Sequence, residues 1–461
     1  MTAQTPRPPE APGALPLLGH TLAMKRRPLD FVSALPELGE VVRIRLGPVG
    51  VLLVCDPDLT HEVLLDPRTF DKGGFIFDRA REYMGDNLAT CPHSAHLRQR
   101  RLTQPAFHIS RLPGYAGIMA DAIDETAAAW RDGAVVDPVA DLMALTAKVI
   151  LRTMFSWGLS DRSLSDAVGD LVVVVDGTYW RSLVPPAVLR VPLPANRRFD
   201  RAHHRLSATF LRIIQEYRAD GTDRGDLLSI LLATRDEGDG GGMSDTEISN
   251  QLFGFFLAGT ETTATLLAWT LHALTERPEL QERLHAEIDT VLGGRPPGFD
   301  DLEALDVTRR ILTESLRHYT PVWMLTRVTT TDTRIGPYEV PAGTTLMYSP
   351  YIVHHLPSLY PDPHRFDPDR WAPGEKPPRR GFLPFAVGSR KCIGDAFALT
   401  EATLALATIA QRWRWSASPG ARVRPTAGAA IRPQGMRLRF TARPQRPVPH
   451  EETADSPVPS A

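Results

Sequence analysis

Residues 384–395 read PFAVGSRKCIGD, with one cysteine, Cys392, set in a loop between Gly388 and Gly394 and preceded by Arg390 and Lys391. The run DAFALTEATLALATIA follows at once and reads as a helix, with Asp395 in its first turn. A thiol just before a helix N-terminus sits in a field that favours its anion. Its pKa is predicted to lie below the ordinary value of about 8.5. Against the plain alternative of a small buried hydrophobe, three chemistries are open: nucleophile, redox thiol and metal ligand. No histidine lies close in sequence to act as base, and no resolving thiol is local. A single thiolate among glycines, apolar side chains and cations suits the axial position of a haem iron.

A second chemical stretch is AGTETT, residues 258–263. It interrupts an apolar helical run with glycine, which costs about 1 kcal/mol in a helix interior, and with threonines that bond back to the preceding turn. A carboxyl there is costly unless paired or hydrated. One reading is a kink with a solvated face. The other is a groove in which Glu261 and Thr262 relay protons to something bound. A third is ESLR, which places Glu314 and Arg317 on one helix face; alone it reads as a surface ion pair worth under roughly 1 kcal/mol. The proline-rich PDPHRFDPDRW, residues 361–371, reads as a rigid meander from which Arg365 could join that pair.

The elements around these stretches are mostly helical. Ser244 and Glu247 form a capping-box pattern, and the helix they open can run to Arg277, before Pro278. Most of residues 56–318 has helical texture. By contrast, VVRIRLGPVGVLLVC (41–55) reads as a β-hairpin, and the β-branched stretch after Pro321 as short strands. Helix returns at about 394–413. The expected architecture is one large, mainly α body with a small β portion. A Pro-rich disordered N-terminus is expected over 1–14, a single domain over 15–442 and a disordered tail over 443–461.

Composition excludes more than it assigns. The 461 residues carry a formal net charge of −2, so bulk charge points to neither nucleic acid nor a membrane surface. Three cysteines, Cys55, Cys91 and Cys392, argue against a disulfide framework and for a reducing, cytoplasmic setting. The N-terminal residues lack the apolar run of a signal peptide or membrane anchor. Arginine is used almost to the exclusion of lysine, which is confined to Lys25, Lys72, Lys148, Lys376 and Lys391.

Phe385, Gly388, Arg390, Cys392 and Gly394 together match F-x-x-G-x-R-x-C-x-G, and with AGTETT, ESLR, PHRF and the HLRQRR stretch from His96 they occur in the order and spacing of the cytochrome P-450 family. The chain resembles this family over about residues 15–440, with no departure in the core motifs. The resemblance implies the P-450 fold, a triangular helical body with haem between the long central helix and the Cys-loop helix. It implies haem b with Cys392 as thiolate ligand to iron, Phe385, Gly388 and Gly394 shaping the loop, and His96, Arg100, Arg327 and Arg390 holding the propionates. It gives Thr262 and Glu261 to proton delivery as dioxygen is split, and Glu314, Arg317 and Arg365 to a structural cluster.

The implied activity is monooxygenation, inserting one oxygen atom of O2 into a C–H bond of a lipophilic small molecule. The chain carries no flavin or iron–sulfur motif, so electrons are expected from a separate ferredoxin and its NAD(P)H-dependent reductase. Arginines around the Cys392 loop and residues 98–101, Arg98 among them, offer a docking face. The pocket positions of the family fall on Phe75, Phe77, Trp180, Phe256, Ala258, Val322, Trp323 and Met324, an apolar set. In APGALPLLGH, RRLTQPAFH, LPANRRF and TPVWMLTR the chain is similar to bacterial terpene-oxidising members, above all those of the pentalenene and albaflavenone pathways. The expected substrate is a sesquiterpene hydrocarbon in secondary-metabolite biosynthesis, oxidised once or successively at one carbon. A fatty acid, polyketide or steroid is the alternative substrate, and a non-catalytic haem protein that binds ligand is the alternative class. A monomer is expected.

Overall fold

The computed structural model describes residues 6–156, 161–183, 189–236 and 240–444. Its axis is the helix Asp245–Thr275, 31 residues long, or roughly 46 Å at 1.5 Å per residue. Its start is fixed by the predicted capping box. The Ser244 side chain accepts from the Glu247 amide, and the Glu247 carboxylate accepts from the Ser244 amide. It remains helical through AGTETT. A Cβ on Gly259 would stand 3.4 Å from the Ile150 side chain, an ordinary van der Waals contact. That contact belongs to the helix Pro138–Met154, which runs closely against the central helix. The helices Pro194–Asp220, Asp306–Tyr319 and Asp395–Arg412 pack around the same axis. Their apolar faces merge into one continuous core.

The hairpin is Val41–Leu46 paired antiparallel with Val49–Val54. It continues into a five-stranded sheet through Thr345–Tyr348, Leu325–Thr329 and Phe70–Asp71. Short strands Thr333–Ile335 and Tyr338–Val340 form a separate pair. After the last helix come strands that the sequence reading did not include. Trp413–Ala417 pairs with Leu438–Ala442, and Arg424–Ala427 with Ile431–Gln434.

The expected chain boundaries need correction at both ends. The Ala11 amide donates to the Arg43 carbonyl, the Arg43 amide donates to the Pro9 carbonyl, and Ala11 is buried, so residues 9–11 are ordered against the first strand. Arg443 is held by its amide on the Arg412 carbonyl and by its guanidinium on Asp289. The rest of the expected tail, from 445, lies outside the described residues. Among those described, no helix is long and apolar enough to cross a membrane.

Candidate haem site

The loop before the helix Asp395–Arg412 is closed by the Cys392 amide, which donates to the Phe385 carbonyl at 2.9 Å. It turns at Ala386 and Gly388, both at positive φ. At Gly388, with φ +74, a Cβ would stand 3.2 Å from the Leu64 carbonyl oxygen and from the Leu65 side chain. Glycine is thus required twice, for conformation and for approach. The Cys392 surface is open, unlike the buried Cys55 and Cys91. Protein nevertheless surrounds it closely enough for desolvation to push its thiol above the ordinary value. Both hold for a side chain that is accessible in a recess of the protein rather than on its open surface. The expectation of a lowered pKa is therefore overturned. Burial outweighs the Gly394 amide and the more distant Arg100 and Lys72, and Asp395 adds to the rise. Arg390, counted on to lower it, instead donates to Asp71 (2.9 Å) and the Cys91 carbonyl (3.0 Å).

The central helix opens at one place. It is almost continuously buried on either side of residues 257–262, yet Ala258 is exposed and Thr262 part-exposed. These two lie four apart on one face. The Thr262 hydroxyl donates to the Ala258 carbonyl at 2.7 Å, which keeps the opening lined by a polar group without a free backbone carbonyl. Glu261 turns elsewhere. It is buried, its carboxylate is 3.6 Å from Arg432, and desolvation raises its pKa to about 7.

A cluster of cations lies beside the cysteine loop. Arg100 donates to the Lys391 carbonyl at 2.7 Å. Arg327 is buried; its Nη1 donates to the Thr326 carbonyl at 3.1 Å, and no carboxylate among the described residues pairs with it. Lys72, which the sequence reading passed over, bonds the Ala89 carbonyl at 2.8 Å and lies over the Phe77 ring. Desolvation, then Arg327 and Arg390, lower its pKa to about 7. His96 is buried, and desolvation, Arg390, Lys72 and Arg100 hold it neutral down to about 3. Such a gathering of like charges is costly unless an anionic group sits among them. A haem, with two carboxylates for these cations and an iron for the accessible Cys392 thiol, fits this donor set.

The other predicted positions divide. Glu314 and Arg317 are fully buried, and the guanidinium donates to the carboxylate at 2.9 and 2.7 Å, so this is no surface pair. Arg365 does not join them. Its side chain is exposed and pairs weakly with Asp367, and only its backbone carbonyl reaches Arg317. Arg370 approaches Glu314 instead (3.7 Å), beside the Trp371 indole, which donates at 2.9 Å. Among the pocket residues, Phe256 is buried against Phe210, and Trp323 is buried in the cluster under the sheet with its indole on the Gly428 carbonyl. Both are core. Met324 is buried in the same cluster, Phe75 packs at its edge, and Val322 is part-exposed. The Trp180 side chain lies outside the described residues. Arg98 pairs with Glu247 (2.8 Å) and Arg101 with Asp236 (3.0 Å), so both tie their helix to the body while remaining partly exposed.

A family model for cytochrome P450 matches residues 8–438. The chain belongs to the cytochrome P450 family. Its relatives include pentalenene oxygenase of Streptomyces avermitilis, 45% identical over 94% of this chain and 97% of the relative. Cyclooctat-9-en-7-ol 5-monooxygenase of Streptomyces melanosporofaciens is also 45% identical, over 91% and 93%. The crystal structure of the cytochrome P450DA haem domain superposes with a TM-score of 0.86 at 28% identity, covering 95% of this chain and 97% of that one. The P450 is a monooxygenase of the haem-thiolate type, and its fold is the expected mainly α one with a small β portion.

Proposed function

We propose that this P450 inserts an oxygen atom of O2 into a C–H bond of a terpene, with a pentalenene-type sesquiterpene hydrocarbon as substrate. The observation that supports the catalytic reading is that two motif positions are exposed on elements that pack together. The open Ala258–Thr262 face belongs to the central helix, and the open Cys392 belongs to the loop leading into a helix that packs on it. Haem b bound there supplies the oxygen and electron chemistry. Cys392 would be its thiolate ligand, and Lys72, His96, Arg100, Arg327 and Arg390 would hold its carboxylates. The cation cluster favours the deprotonated thiol through Arg100 and Lys72. The Thr262 hydroxyl stands at the opening, where it can pass a proton inward, and Glu261 one residue earlier holds the proton to be passed. Electrons come from a separate ferredoxin and its reductase.

The substrate assignment draws its support from the relatives, whose names specify pentalenene and cyclooctat-9-en-7-ol. Soret titration of the haem-loaded protein with pentalenene, cyclooctat-9-en-7-ol and a fatty acid tests it. A shift to high spin with pentalenene, followed by oxygenated product with ferredoxin, reductase and NADPH, supports the proposal. A shift only with the larger terpene or the fatty acid reassigns the substrate. Tight binding without product from any of the three favours a ligand-binding haem protein.

A further inference from the structure

Glu261 is one residue from the hydroxyl that lines the opening, yet its carboxylate points to a cation from a distant part of the chain. Arg432 lies on the strand Ile431–Gln434, which packs on the central helix and is fixed there by the Trp269 indole donating to the Ile431 carbonyl at 2.7 Å. The Arg432 Nε is 3.6 Å from Glu261, and its Nη2 donates to Asp176 at 2.9 Å. Asp176 belongs to the helix Asp161–Leu183, which crosses near the central helix. One guanidinium therefore serves a buried carboxyl (7% exposed) and a solvent-facing one (57% exposed).

We propose that Arg432 is a positioning residue for Glu261, shared with Asp176, so that contact between the helix Asp161–Leu183 and the strand sets how firmly Glu261 holds its proton. With the Asp176 bond made, part of the guanidinium charge is directed away, and burial keeps the carboxyl protonated. With it broken, the guanidinium is free to close on Glu261 and stabilise the carboxylate. The released proton passes to the cavity, and a proton from bulk solvent later restores the acid. The groups that act on this carboxyl among the described residues are Arg432, Asp176 and the Ala430 amide, and desolvation, the largest influence, opposes the cation. Movement of the overlying helix is thereby coupled to proton supply. The inference rests on family membership and on the placing of Glu261 near the opening; it does not depend on which substrate enters.

Difference infrared titration of the haem-loaded protein gives the test, with Glu261→Gln identifying the Glu261 carboxyl band. Arg432→Gln is expected to raise the titration midpoint by about one pH unit, a tenfold gain in proton affinity, and Arg432→Lys to restore most of it. Asp176→Asn is expected to lower the midpoint. In the double variant Asp176→Asn/Arg432→Gln that fall disappears, which separates freeing of Arg432 from mere loss of the Asp176 charge. The alkaline limb of the turnover pH profile, where the required acid loses its proton, should move with the midpoint while KM stays near wild type. Midpoints unchanged in all variants, or shifted the same way by Arg432→Gln and Asp176→Asn, would overturn the proposal. Should Arg432→Gln fail to fold, Asp176→Asn and Arg432→Lys still decide it. Failure of the substrate assignment would leave the infrared result untouched.

Discussion

Arg317 donates Nε and Nη2 to the two oxygens of Glu314, and neither side chain reaches solvent. The remaining guanidinium valences go to the His354, Pro363 and Arg365 carbonyls, and the carboxylate also accepts from the Asp367 amide and the Trp371 indole. The pair thus joins one helix to the meander and to the short helix Pro350–His354 that precedes it. Removing one partner strands the other charge in the interior, at a cost of about 3–5 kcal/mol. Glu314→Ala and Arg317→Ala are each expected to abolish stable holoprotein. Recovery of normal Soret absorbance and a melting temperature near wild type would contradict this.

Arg365 and Arg370 can be told apart by the same measure. Arg370 is mostly buried, donates to the Asp362 carbonyl and lies near Glu314, whereas Arg365 offers only its backbone to Arg317. Arg365→Ala should stay within about 0.5 kcal/mol of wild type, and Arg370→Ala should lose about 1–2 kcal/mol. Equal melting temperatures, or the reverse order, would restore Arg365 to the cluster.

Gly388 gives a third test. Alanine there meets both a positive φ and the Leu64 carbonyl, so the loop must shift to admit it. Strain of about 1–3 kcal/mol is expected, and the shift would fall on the thiol four residues on. Gly388→Ala should weaken haem retention and broaden the ferrous carbonyl Soret band, while Gly394→Ala, with only Phe107 at 3.9 Å, should do less. Similar spectra for both variants would show that the loop yields without moving Cys392.

The chemistry-bearing motifs were legible because each is local. Phe385 to Gly394 is one loop, Ser244 and Glu247 one cap, and Glu314 and Arg317 one helical turn. What escaped the sequence was set by contacts between distant segments. Arg370 replaces Arg365 because the meander folds back by a path that proline content does not specify. Phe256, expected in the pocket, is core because a helix surrounded by others has no face that composition marks as open. Arg432 reaches Glu261 from a strand that no local pattern marks. The Cys392 expectation failed in sign because local charge can be read from neighbours, whereas desolvation depends on the whole fold. Lys72 left a faint signal, a rare lysine before Gly73 and Gly74 in an arginine-rich chain.

Lys72 is the cation of the cluster most open to test. It has no carboxylate partner among the described residues, so replacing it removes charge without orphaning an acid. A charge-assisted hydrogen bond to a haem carboxylate is worth about 1.5–3 kcal/mol. Lys72→Met is therefore expected to speed haem transfer to an apo-globin acceptor by roughly ten- to a hundredfold, with the apo-protein melting near wild type. An unchanged transfer rate would take Lys72 out of the propionate-binding set.

Buried histidines predict acid lability. Desolvation holds His285 neutral down to about 4 and His355 down to about 3, and His318 is lowered further by desolvation, His355 and Arg317. Each folded-state pKa lies below the unfolded value of about 6.5, so the unfolded chain binds more protons between the two. Stability is complete above about pH 6.5 and falls as pH drops, by up to about 1.4 kcal/mol per pH unit for each group, until the folded value is reached. His285 isolates one such term, since its Nε2 contacts the Trp413 carbonyl at 3.2 Å and its Nδ1 is unpartnered. His285→Gln can keep a donor to that carbonyl but cannot titrate. Melting temperature should therefore fall less steeply in His285→Gln than in wild type between pH 6.5 and 5. Parallel curves would place the acid sensitivity in the carboxylates and not in this histidine.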